Sequence, residues 1–340
     1  MRREQLHRYY QYLKIYIRHF TFTRFVNLLR VEKRLFFRQV LTSNIKPYFL
    51  VVEISNRCNL KCPLCQMGRG EVIQRDNQMS FENYKKIITP LKNNLFQILL
   101  YNWGEPFFNK DIYKIISYNK SLNIGTIISS NLNLNIDAEK LIESGLDHLI
   151  ISADGHKQDI YEKYRVGGKL SLLENNLKNI VKEKKSTKSN LPYIEWQTLV
   201  TKHTEKHLTE ISKFAYNMGV NTVRFSNLNF YSTDATQRLK DEWLPTDKKY
   251  RYFDKDSSHA KNRTRKPCFW LWRTAVINTD GEVTPCCLYD TEGWGNAFEN
   301  PIADVWQNEI YKEARGRFCG AKKETRKIIC DTCFANFLYK

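Results

Sequence analysis

The sequence lacks the features that mark membrane-spanning and secreted proteins. Its apolar runs, such as FQILL and LIIS, are far shorter than the roughly 20 residues that a membrane span needs. Arg8, Lys14 and Arg18 interrupt the first apolar stretch and no small-residue cleavage site follows it, which argues against a secretory signal. We therefore expect a cytoplasmic protein, in which clustered cysteines bind metal and do not form disulfides.

Acidic residues are also scarce relative to basic ones. The chain has 54 Lys and Arg against 36 Asp and Glu, a formal net charge of +18. Such a balance can indicate nucleic acid or anionic lipid as a partner. However, Lys and Asn occur throughout, including in solvated runs such as VKEKKSTKSN, so a generally basic surface is the favoured interpretation and nucleic acid is not favoured.

Residues 1–45 form a basic segment with a helical repeat. The first 40 residues contain ten Lys or Arg and two Glu. Apolar residues recur there at helical spacing: Leu6, Tyr9, Leu13, Ile17 and Phe20. This pattern predicts an amphipathic helix with a basic face. Two interpretations stay open: the helix lies on an anionic membrane surface, or it packs on the main domain with a solvated outer face.

From residue 48 onwards, short β-branched runs alternate with helical patterns. Six strands are predicted, at 48–55, 97–103, 124–131, 148–153, 193–200 and 222–227. Helices are predicted near 80–93, 109–121, 137–144, 170–184 and 205–218. This alternation predicts an α/β fold with a parallel sheet. Because six strands are too few for a complete barrel, we expect an open, partial (β/α)6 TIM-like barrel over residues 46–227.

The character of the sequence changes after the last predicted strand. Residues 228–267 are polar and charge-rich, which predicts a linker or a loop over the barrel mouth. Residues 268–340 are expected to form a small separate domain. Within it, AVINTDGEVTP predicts a hairpin around Asp280 and Gly281, and a short helix is expected near 301–315.

Unusual sequences stand at the ends of four predicted strands. Three cysteines follow the first strand and NWGEP (102–106) follows the second, while SSN (129–131) ends the third and SADG (152–155) ends the fourth. In parallel α/β sheets the reactive groups lie at the carboxyl ends of the strands. We therefore expect the four motifs to converge on one rim.

The first motif, EISNRCNLKCPLCQMG, holds Cys58, Cys62 and Cys65 in a Cys-x3-Cys-x2-Cys spacing. A structural zinc site closes with four ligands, which three thiolates do not supply. In a [4Fe-4S] cluster each iron takes one terminal ligand, so three cysteines leave one iron open. The motif therefore predicts a cluster with a vacant position for a substrate or cofactor.

This spacing at the end of a first strand, with CNLKC inside it, resembles the signature of the radical S-adenosylmethionine superfamily. The resemblance covers about residues 48–227. It implies that the open iron chelates the amino and carboxylate groups of S-adenosylmethionine. An electron from the reduced cluster would then cleave the sulfonium to methionine and a 5′-deoxyadenosyl radical, with a reducing partner such as flavodoxin or ferredoxin.

The motif NWGEP is similar to the family's Gly-Gly-Glu-Pro-like element. Asn102 and Trp103 stand in place of the usual small residues, which is a departure from the pattern. The resemblance implies that Gly104 and Glu105 contact the methionine amino group. A carboxylate suits that position because it accepts hydrogen bonds from an amino group.

The remaining rim residues extend the resemblance to the same cavity. Ser129 and Asn131 match residues that hold the ribose hydroxyls. Ser152 and Asp154 of SADG, and Arg165 of YRVGG, correspond to elements that line the cavity, with Arg165 as a partner for the methionine carboxylate. Taken singly, the serines would be ordinary strand-end caps, and their joint placement at consecutive strand ends carries the interpretation.

Six further cysteines follow residue 267. The element DGEVTPCC, counted from Gly281 to Cys286, resembles the Gly-x4-Cys of the SPASM extension, or of its shorter one-cluster form, the twitch domain. Four cysteines make one complete site for a second [4Fe-4S] cluster, with zinc as the alternative metal: Cys268, Cys286, Cys330 and Cys333. Cys287 points to the other side of an extended strand and Cys319 lies outside the pattern, so neither is expected to be a ligand.

A fully ligated second cluster suggests an electron acceptor or donor. This favours an oxidoreductase that acts on a sugar-like or other small molecule, by alcohol dehydrogenation or epimerisation. Dehydrogenation also needs a base for the hydroxyl proton, and the candidates near strand ends are Asp154, His156 and Glu195.

Two other functions stay open. The first is a peptide-modifying maturase of a ribosomally made precursor. Such enzymes usually carry an N-terminal winged-helix domain with an antiparallel β-ribbon, whereas residues 1–45 predict helix. The second is a non-catalytic basic iron-sulfur protein. For an enzyme, the 228–267 loop and the basic N-terminal helices are expected to close over a large or anionic substrate, such as a phosphorylated sugar, a lipid-linked glycan or a peptide.

Overall fold

The computed structural model describes residues 3–42, 44–72, 78–228, 239–251, 268–287, 293–320 and 326–331, with side chains from residue 10 onwards. These residues build an eight-stranded sheet with the strand order β6-β5-β4-β3-β2-β1-β7-β8. The strands are β1 (Phe49–Val52), β2 (Gln97–Leu99), β3 (Gly125–Ser130), β4 (His148–Ser152), β5 (Tyr193–Val200), β6 (Thr222–Asn227), β7 (Val276–Ile277) and β8 (Val283–Thr284).

Strands β1 to β6 pair in chain order, and every pairing among them is parallel. The sheet does not close on itself, because β6 and β8 are its two edges. The predicted α/β class and open, partial barrel are therefore confirmed. The predicted strands at 193–200 and 222–227 match β5 and β6 at both ends, while the first four predictions were longer than the strands observed.

Helices connect the parallel strands, as the amphipathic patterns predicted. The helices are α1 (Arg3–Arg18), α2 (Phe22–Phe36), α3 (Phe81–Ile88), α4 (Ile112–Ser121), α5 (Ala138–Ser144), α6 (Gln158–Tyr164), α7 (Leu170–Ser186), α8 (Leu208–Asn217), α9 (Lys240–Trp243), α10 (Phe269–Arg273), α11 (Ile302–Val305) and α12 (Glu309–Gly316). Ser80 and Asp137 cap the amino ends of α3 and α5 by accepting backbone N–H bonds. Helix α6 was not predicted from the sequence, because it spans only about two turns.

The region after residue 267 joins the barrel sheet directly. Strand β7 pairs in parallel with β1 and antiparallel with β8, so the predicted hairpin is confirmed. Its attachment to β1 was not predicted, because two-residue strands carry little periodicity. Trp272 and Trp306 are fully buried beside the hairpin, and the Trp306 indole N–H donates to the Thr274 carbonyl at 2.9 Å.

Helix α1 lies across the amino ends of the strands. Ile15 of α1 and His19, which directly follows the helix, approach Gly125, the first residue of β3. His19 Nε2 lies 3.0 Å from the carboxylate of Asp147, just before β4, and the Tyr16 ring lies 4.8 Å from that of Phe96, just before β2. The predicted motifs lie at the opposite ends of these strands. The expectation that the N-terminal helices close over the substrate was therefore wrong.

Helix α2 is held against the same end of the sheet by a buried arginine. The Arg24 guanidinium donates to the carbonyl oxygens of His19, Lys92, Leu122 and Asn123. These carbonyl oxygens lie at a helix end and in loops, and the Arg24 side chain supplies hydrogen-bond donors to them. Arg24 is one of the ten basic residues in the first 40, and it is buried in the contact between α2 and the rest of the domain.

The apolar repeat of α1 faces solvent. Leu13, Ile17 and Phe20 are 52%, 66% and 53% exposed, whereas Gln11 and Ile15 on the neighbouring face are buried. The side chains of Leu6 and Tyr9, which belong to the same predicted repeat, lie outside the described residues. Among the described helices, none is both long enough and apolar enough to cross a membrane.

Candidate active site

The cysteine loop leaves the carboxyl end of β1 and is held by N–H groups that point at its sulfurs. The Leu60 backbone N–H donates to the Cys58 Sγ at 3.5 Å, and the Asn131 side-chain amide lies 3.8 Å from the same sulfur. The Arg165 Nη1 lies 3.8 Å from the Cys62 Sγ. Donors of this kind stabilise negative charge on cluster-bound sulfur. The donor set therefore fits an iron-sulfur cluster held by this loop.

An apolar shell covers the loop. Leu60 and Leu64 pack with Tyr164 of α6 and with Trp243 and Leu244, which follow β6. The Tyr164 and Trp243 rings are 5.4 Å apart and nearly perpendicular. The described part of the predicted 228–267 loop, residues 228 and 239–251, thus contributes Leu228, Trp243 and Leu244 to the cover over the cysteines. The rest of that prediction, residues 229–238 and 252–267, lies outside the described residues.

Burial keeps two of the thiols protonated at neutral pH. It raises the pKa of Cys58 to about 11 and that of Cys62 to about 12. Cys65 lies within electrostatic reach of both. Because a metal displaces such protons, assembly of a cluster here would release protons. Within the described residues, no three Cys, His, Asp or Glu side chains are arranged to share a single metal ion.

Gly104 lies where the loop after β2 meets the backbone that leads into the cysteine loop. A Cβ at Gly104 would stand 1.9 Å from the Ser55 carbonyl oxygen, so only glycine fits. The carboxylate of Glu53, just after β1, accepts the N–H groups of Trp103 at 3.0 Å and Gly104 at 3.2 Å. Glu53 was not predicted as a site residue, although a carboxylate directly after an apolar strand is a usable signal.

The Glu105 carboxylate joins the β2 loop to the end of β3. It accepts hydrogen bonds from the Ser130 hydroxyl at 2.7 Å, the Asn131 backbone N–H at 2.8 Å and the Phe107 N–H at 3.3 Å. Burial raises the pKa of Glu105 to about 7 in spite of these bonds. The Glu105 side chain therefore holds the β2 loop against the end of β3, in addition to any contact that it makes with a ligand.

The polar residues at the ends of β3 and β4 divide into two groups. The hydroxyls of Ser129 and Ser152 are 3.0 Å apart, half-buried, on neighbouring strands. Asn131 instead binds the protein: its amide donates to the Asn59 side chain at 3.1 Å, and its carbonyl oxygen accepts the Asn133 N–H at 2.8 Å. The serines are therefore available to a ligand, whereas Asn131 fastens the cysteine loop to β3.

Arg165 and Asp154 form a buried ion pair beside the cysteine loop. The Arg165 Nε donates to the Asp154 carboxylate at 2.6 Å, and the backbone N–H of Leu199 donates to its second oxygen at 2.5 Å. Burial raises the pKa of Asp154 even though Arg165 opposes the shift. Both oxygens of Asp154 are thus engaged in linking α6, β4 and β5.

A cluster of polar side chains, here called the polar strand face, lines one side of β4, β5 and β6. Its members are Ser152, Glu195, Gln197, Arg224 and Ser226. Arg224 bonds to the Glu195 carboxylate, to Gln197 Oε1 at 2.7 Å and to the Ser226 hydroxyl at 2.7 Å. Ser152 is in register with Gln197 on the neighbouring strand.

The polar strand face lies on the side of the sheet away from its connecting helices. Trp196, between Glu195 and Gln197 in β5, points the other way and packs against Phe214 of α8, with ring centroids 5.8 Å apart. Alternation along the strand therefore directs Glu195 and Gln197 into the interior of the partial barrel. This face shares Ser152 with the serine pair, so the two lie on one surface of the sheet.

The three candidates for a base differ in their availability. Asp154 is locked to Arg165, as described. Glu195 is buried, which raises its pKa, but His148, 3.3 Å away, and Arg224 outweigh burial and lower that pKa to about 2. Glu195 is therefore a weak base. His156 lies in the loop after β4 beside His207, and burial and that neighbour lower its pKa, so its ring is neutral at pH 7.

The C-terminal cysteines lie around the hairpin and the last helices. Cys286 and Cys330 both come within electrostatic reach of the buried Tyr311, whose hydroxyl donates to the Thr284 carbonyl at 3.1 Å. Cys287 and Cys319 pack against the main core. Cys333 lies outside the described residues, so the four-cysteine site stays a prediction.

The sequence matches models of two known protein families. Residues 52–224 match the model of the Radical SAM superfamily. The chain belongs to the radical SAM superfamily. Residues 268–334 match the model of the SPASM iron-sulfur cluster-binding domain, which favours iron-sulfur over zinc for the second site. Radical SAM and SPASM domains bind [4Fe-4S] clusters and S-adenosylmethionine, so these are the cofactors of this protein.

Similar proteins carry out different reactions. A tungsten-containing aldehyde ferredoxin oxidoreductase cofactor-modifying protein of Pyrococcus furiosus is 24% identical over 294 residues, covering 77% of this chain and 82% of the relative. The PqqA peptide cyclase of Granulibacter bethesdensis is 22% identical over 297 residues, covering 79% and 76%. SuiB of Streptococcus suis, in its complex with S-adenosylmethionine, matches with a TM-score of 0.60 at 17% identity, covering 86% and 72%. This last likeness shows the fold alone.

Proposed function

We propose that this radical SAM enzyme removes a hydrogen atom from a neutral, hydroxyl-rich small molecule such as a sugar. One observation carries the proposal: the interior of the partial barrel presents the polar strand face next to the serine pair of β3 and β4. Hydroxyl, amide and guanidinium groups together form a surface that binds alcohols by hydrogen bonds. An apolar group of a substrate would remove water from these polar side chains without replacing the hydrogen bonds that water makes to them.

Charge balance favours a neutral substrate. The positive charge of Arg224 is neutralised by Glu195, which stays ionised above about pH 2. Arg165 is neutralised in the same way by Asp154. An anionic group would have to compete with a buried carboxylate for either arginine, whereas hydroxyls can bind to Gln197 and Ser226 without breaking a pair.

We assign Cys58, Cys62 and Cys65 to the reactive cluster and Cys268, Cys286, Cys330 and Cys333 to the auxiliary one. When bound, the reduced cluster and S-adenosylmethionine supply the 5′-deoxyadenosyl radical. The chain's own residues then do three things. Ser129 and Ser152 hold polar groups at the rim, the Trp243 shell excludes water, and Glu105 and Asn131 hold the rim in place. Flavodoxin or ferredoxin in the cytoplasm is the proposed reductant.

For oxidation of an alcohol to a ketone, a base must also accept the hydroxyl proton, and the auxiliary cluster would have to accept the one electron that remains on the substrate. Of the three candidates, His156 is the one we favour, because its lowered pKa leaves the ring neutral at pH 7. Its Nδ1 is buried and has no hydrogen-bond partner among the described residues. Epimerisation, the redox-neutral alternative, would use the same hydrogen abstraction without net oxidation.

A second candidate function is modification of a peptide. It is supported by the PqqA peptide cyclase among the relatives and by the structure of SuiB bound to its precursor peptide SuiA. Against it, the described residues ahead of β1 form two helices and no β-ribbon. The polar strand face also favours hydroxyls over apolar peptide side chains.

The test is the formation of 5′-deoxyadenosine by reconstituted, dithionite-reduced protein. Neutral sugars, nucleotide-linked sugars and short peptides are offered separately, each deuterated at carbon. We expect deuterium in 5′-deoxyadenosine with a sugar donor. Gln197→Leu should abolish stimulation by that donor and leave the slow, donor-independent cleavage unchanged. Gln97→Leu, on the same face but at the amino end of β2, is the matched control. Deuterium transfer from peptides alone would refute the proposal in favour of the second candidate.

A further inference from the structure

In the described part of the chain, most of the exposed large apolar side chains lie on α1, α2 and the residues that flank α2. They form what we call the apolar ridge: Tyr10, Leu13, Ile17, Phe20, Phe22, Phe25, Leu29, Phe36 and Phe37. Of the exposed large apolar side chains in the described part of the chain, only Val166 and Tyr216 lie elsewhere. Exposed apolar surface concentrated in this way marks an interaction site.

The ridge is continuous across the two helices. Tyr10, Leu13 and Ile17 repeat at intervals of three and four residues on α1. Phe20, just after α1, lies 5.7 Å from the ring of Phe25 on α2, which joins the two stripes. On α2 the same interval leads to Leu29. The exposed faces of both helices therefore form one surface.

The ridge is bordered by positive charge. Lys14, Arg30, Lys33 and Arg38 are exposed beside it. Among the described side chains of α1 and α2, the acidic one is Glu32, which turns inward to Arg273 at 2.6 Å. An apolar stripe with a basic border is complementary to a bilayer that carries anionic headgroups.

The ridge is not a face that folds back on its own domain. The opposite sides of both helices are already committed to the sheet through Ile15, His19 and Arg24. A second copy of the chain would set the same basic border against itself, and like charges oppose such pairing. The helices are therefore fixed with their apolar ridge outward.

We propose that α1 and α2 dock the protein on an anionic lipid bilayer, with the apolar ridge inserted among the lipids and the basic border against the headgroups. The helices lie at the amino ends of the strands, and the cysteine loop at the carboxyl ends. Docking in this way turns the active-site rim away from the bilayer. The substrate then enters from the aqueous side.

The experiment is flotation of the full-length protein with vesicles of phosphatidylcholine, with and without phosphatidylglycerol. We expect binding to vesicles that contain phosphatidylglycerol, with loss of binding in high salt. Ile17→Asp with Leu29→Asp should lower the partition coefficient about tenfold or more, and so should Arg30→Glu with Lys33→Glu. The affected side chains are exposed, so these variants should fold and cleave S-adenosylmethionine as the wild type does.

Matched controls lie on the helices of the barrel. Tyr216→Asp on α8 adds a charge at a similarly exposed apolar residue, and Lys182→Glu with Lys185→Glu on α7 makes the same change of charge. We expect both to bind vesicles as the wild type does. The proposal is overturned if the wild type does not float at low salt, or if the ridge variants float as well as the controls. It is also overturned if Ile17→Asp with Leu29→Asp dissociates a dimer without changing flotation, which would identify the ridge as an interface between copies.

Discussion

The substitution Gly104→Ala tests how tightly the β2 loop and the cysteine loop depend on each other. The new Cβ would stand 1.9 Å from the Ser55 carbonyl oxygen, and Cβ atoms essentially never approach other atoms within 3.0 Å. The loop must therefore withdraw by about 1 Å from the end of β1. This movement weakens the two N–H bonds that Glu53 accepts from Trp103 and Gly104.

A displacement of about 1 Å in a reacting group can slow a reaction about 100-fold. We expect a loss of about that size in the rate of 5′-deoxyadenosine formation by Gly104→Ala. Overpacking should also lower the free energy of unfolding by about 1–3 kcal/mol. The barrel should still fold, because Gly104 lies in a loop outside the strands.

The assay compares Gly104→Ala with Gly70→Ala in anaerobically reconstituted protein. A Cβ at Gly70 would have no atom within 4 Å, and its φ of +70° adds only backbone strain of about 1 kcal/mol. Gly70→Ala should therefore keep the wild-type rate. If Gly104→Ala cleaves S-adenosylmethionine as fast as Gly70→Ala does, the close approach of the two loops is not needed and the reasoning fails.

Three further changes address the contacts that hold the site and the N-terminal helices. Glu105→Ala leaves two buried donors without an acceptor, so urea unfolding should show a loss of about 2–6 kcal/mol; an unchanged midpoint would contradict this. Arg224→Met leaves the Glu195 carboxylate buried with a single partner, so the free energy of unfolding should fall by about 3–5 kcal/mol. The additional change Glu195→Gln should partly recover this loss. Burial raises the pKa of Asp147, but His19 outweighs burial and leaves that pKa lowered. This carboxylate therefore adds stability above its unfolded pKa of 3.8 and loses it as the pH falls from that value through the lower pKa of the folded state. The urea midpoint of the wild type should therefore fall between pH 6 and pH 3, and Asp147→Asn should remove the part of that fall that Asp147 causes. A fall of the same size in the variant would contradict this role of Asp147.

The rim of the site could be predicted from the sequence because parallel strands impose a simple geometry. Their carboxyl ends meet at one edge, so motifs that follow successive strands must be neighbours. Ser129 and Ser152 are an example, since their hydroxyls lie 3.0 Å apart although 23 residues separate them. The open barrel followed from the alternation of strands and helices in the same way.

The contacts that hold the rim could not be predicted, because they depend on side-chain direction over long separations in sequence. Glu53 supports a loop about 50 residues later in the chain. Arg224 and Glu195 form an ion pair between two strands whose sequences show only alternation. A local pattern records that a polar residue alternates with apolar ones, but not which partner it meets.

The N-terminal helices show the same limit in another form. The spacing of Leu13, Ile17 and Phe20 predicts an apolar stripe, but not that solvent lies over it. The buried side of α1 depends on His19 and its contact with Asp147, 128 residues away. The position of the helices at the amino ends of the strands follows from that contact and from Arg24.

We propose that the chain holds two [4Fe-4S] clusters, a reactive one on Cys58, Cys62 and Cys65 and an auxiliary one on the C-terminal cysteines. Iron and zinc content, measured on anaerobically reconstituted protein, tests it most directly. We predict about eight irons per chain and no zinc in the wild type. With Cys58, Cys62 and Cys65 all changed to Ala, we predict about four irons and no cleavage of S-adenosylmethionine. About four irons with one zinc in the wild type would contradict the account.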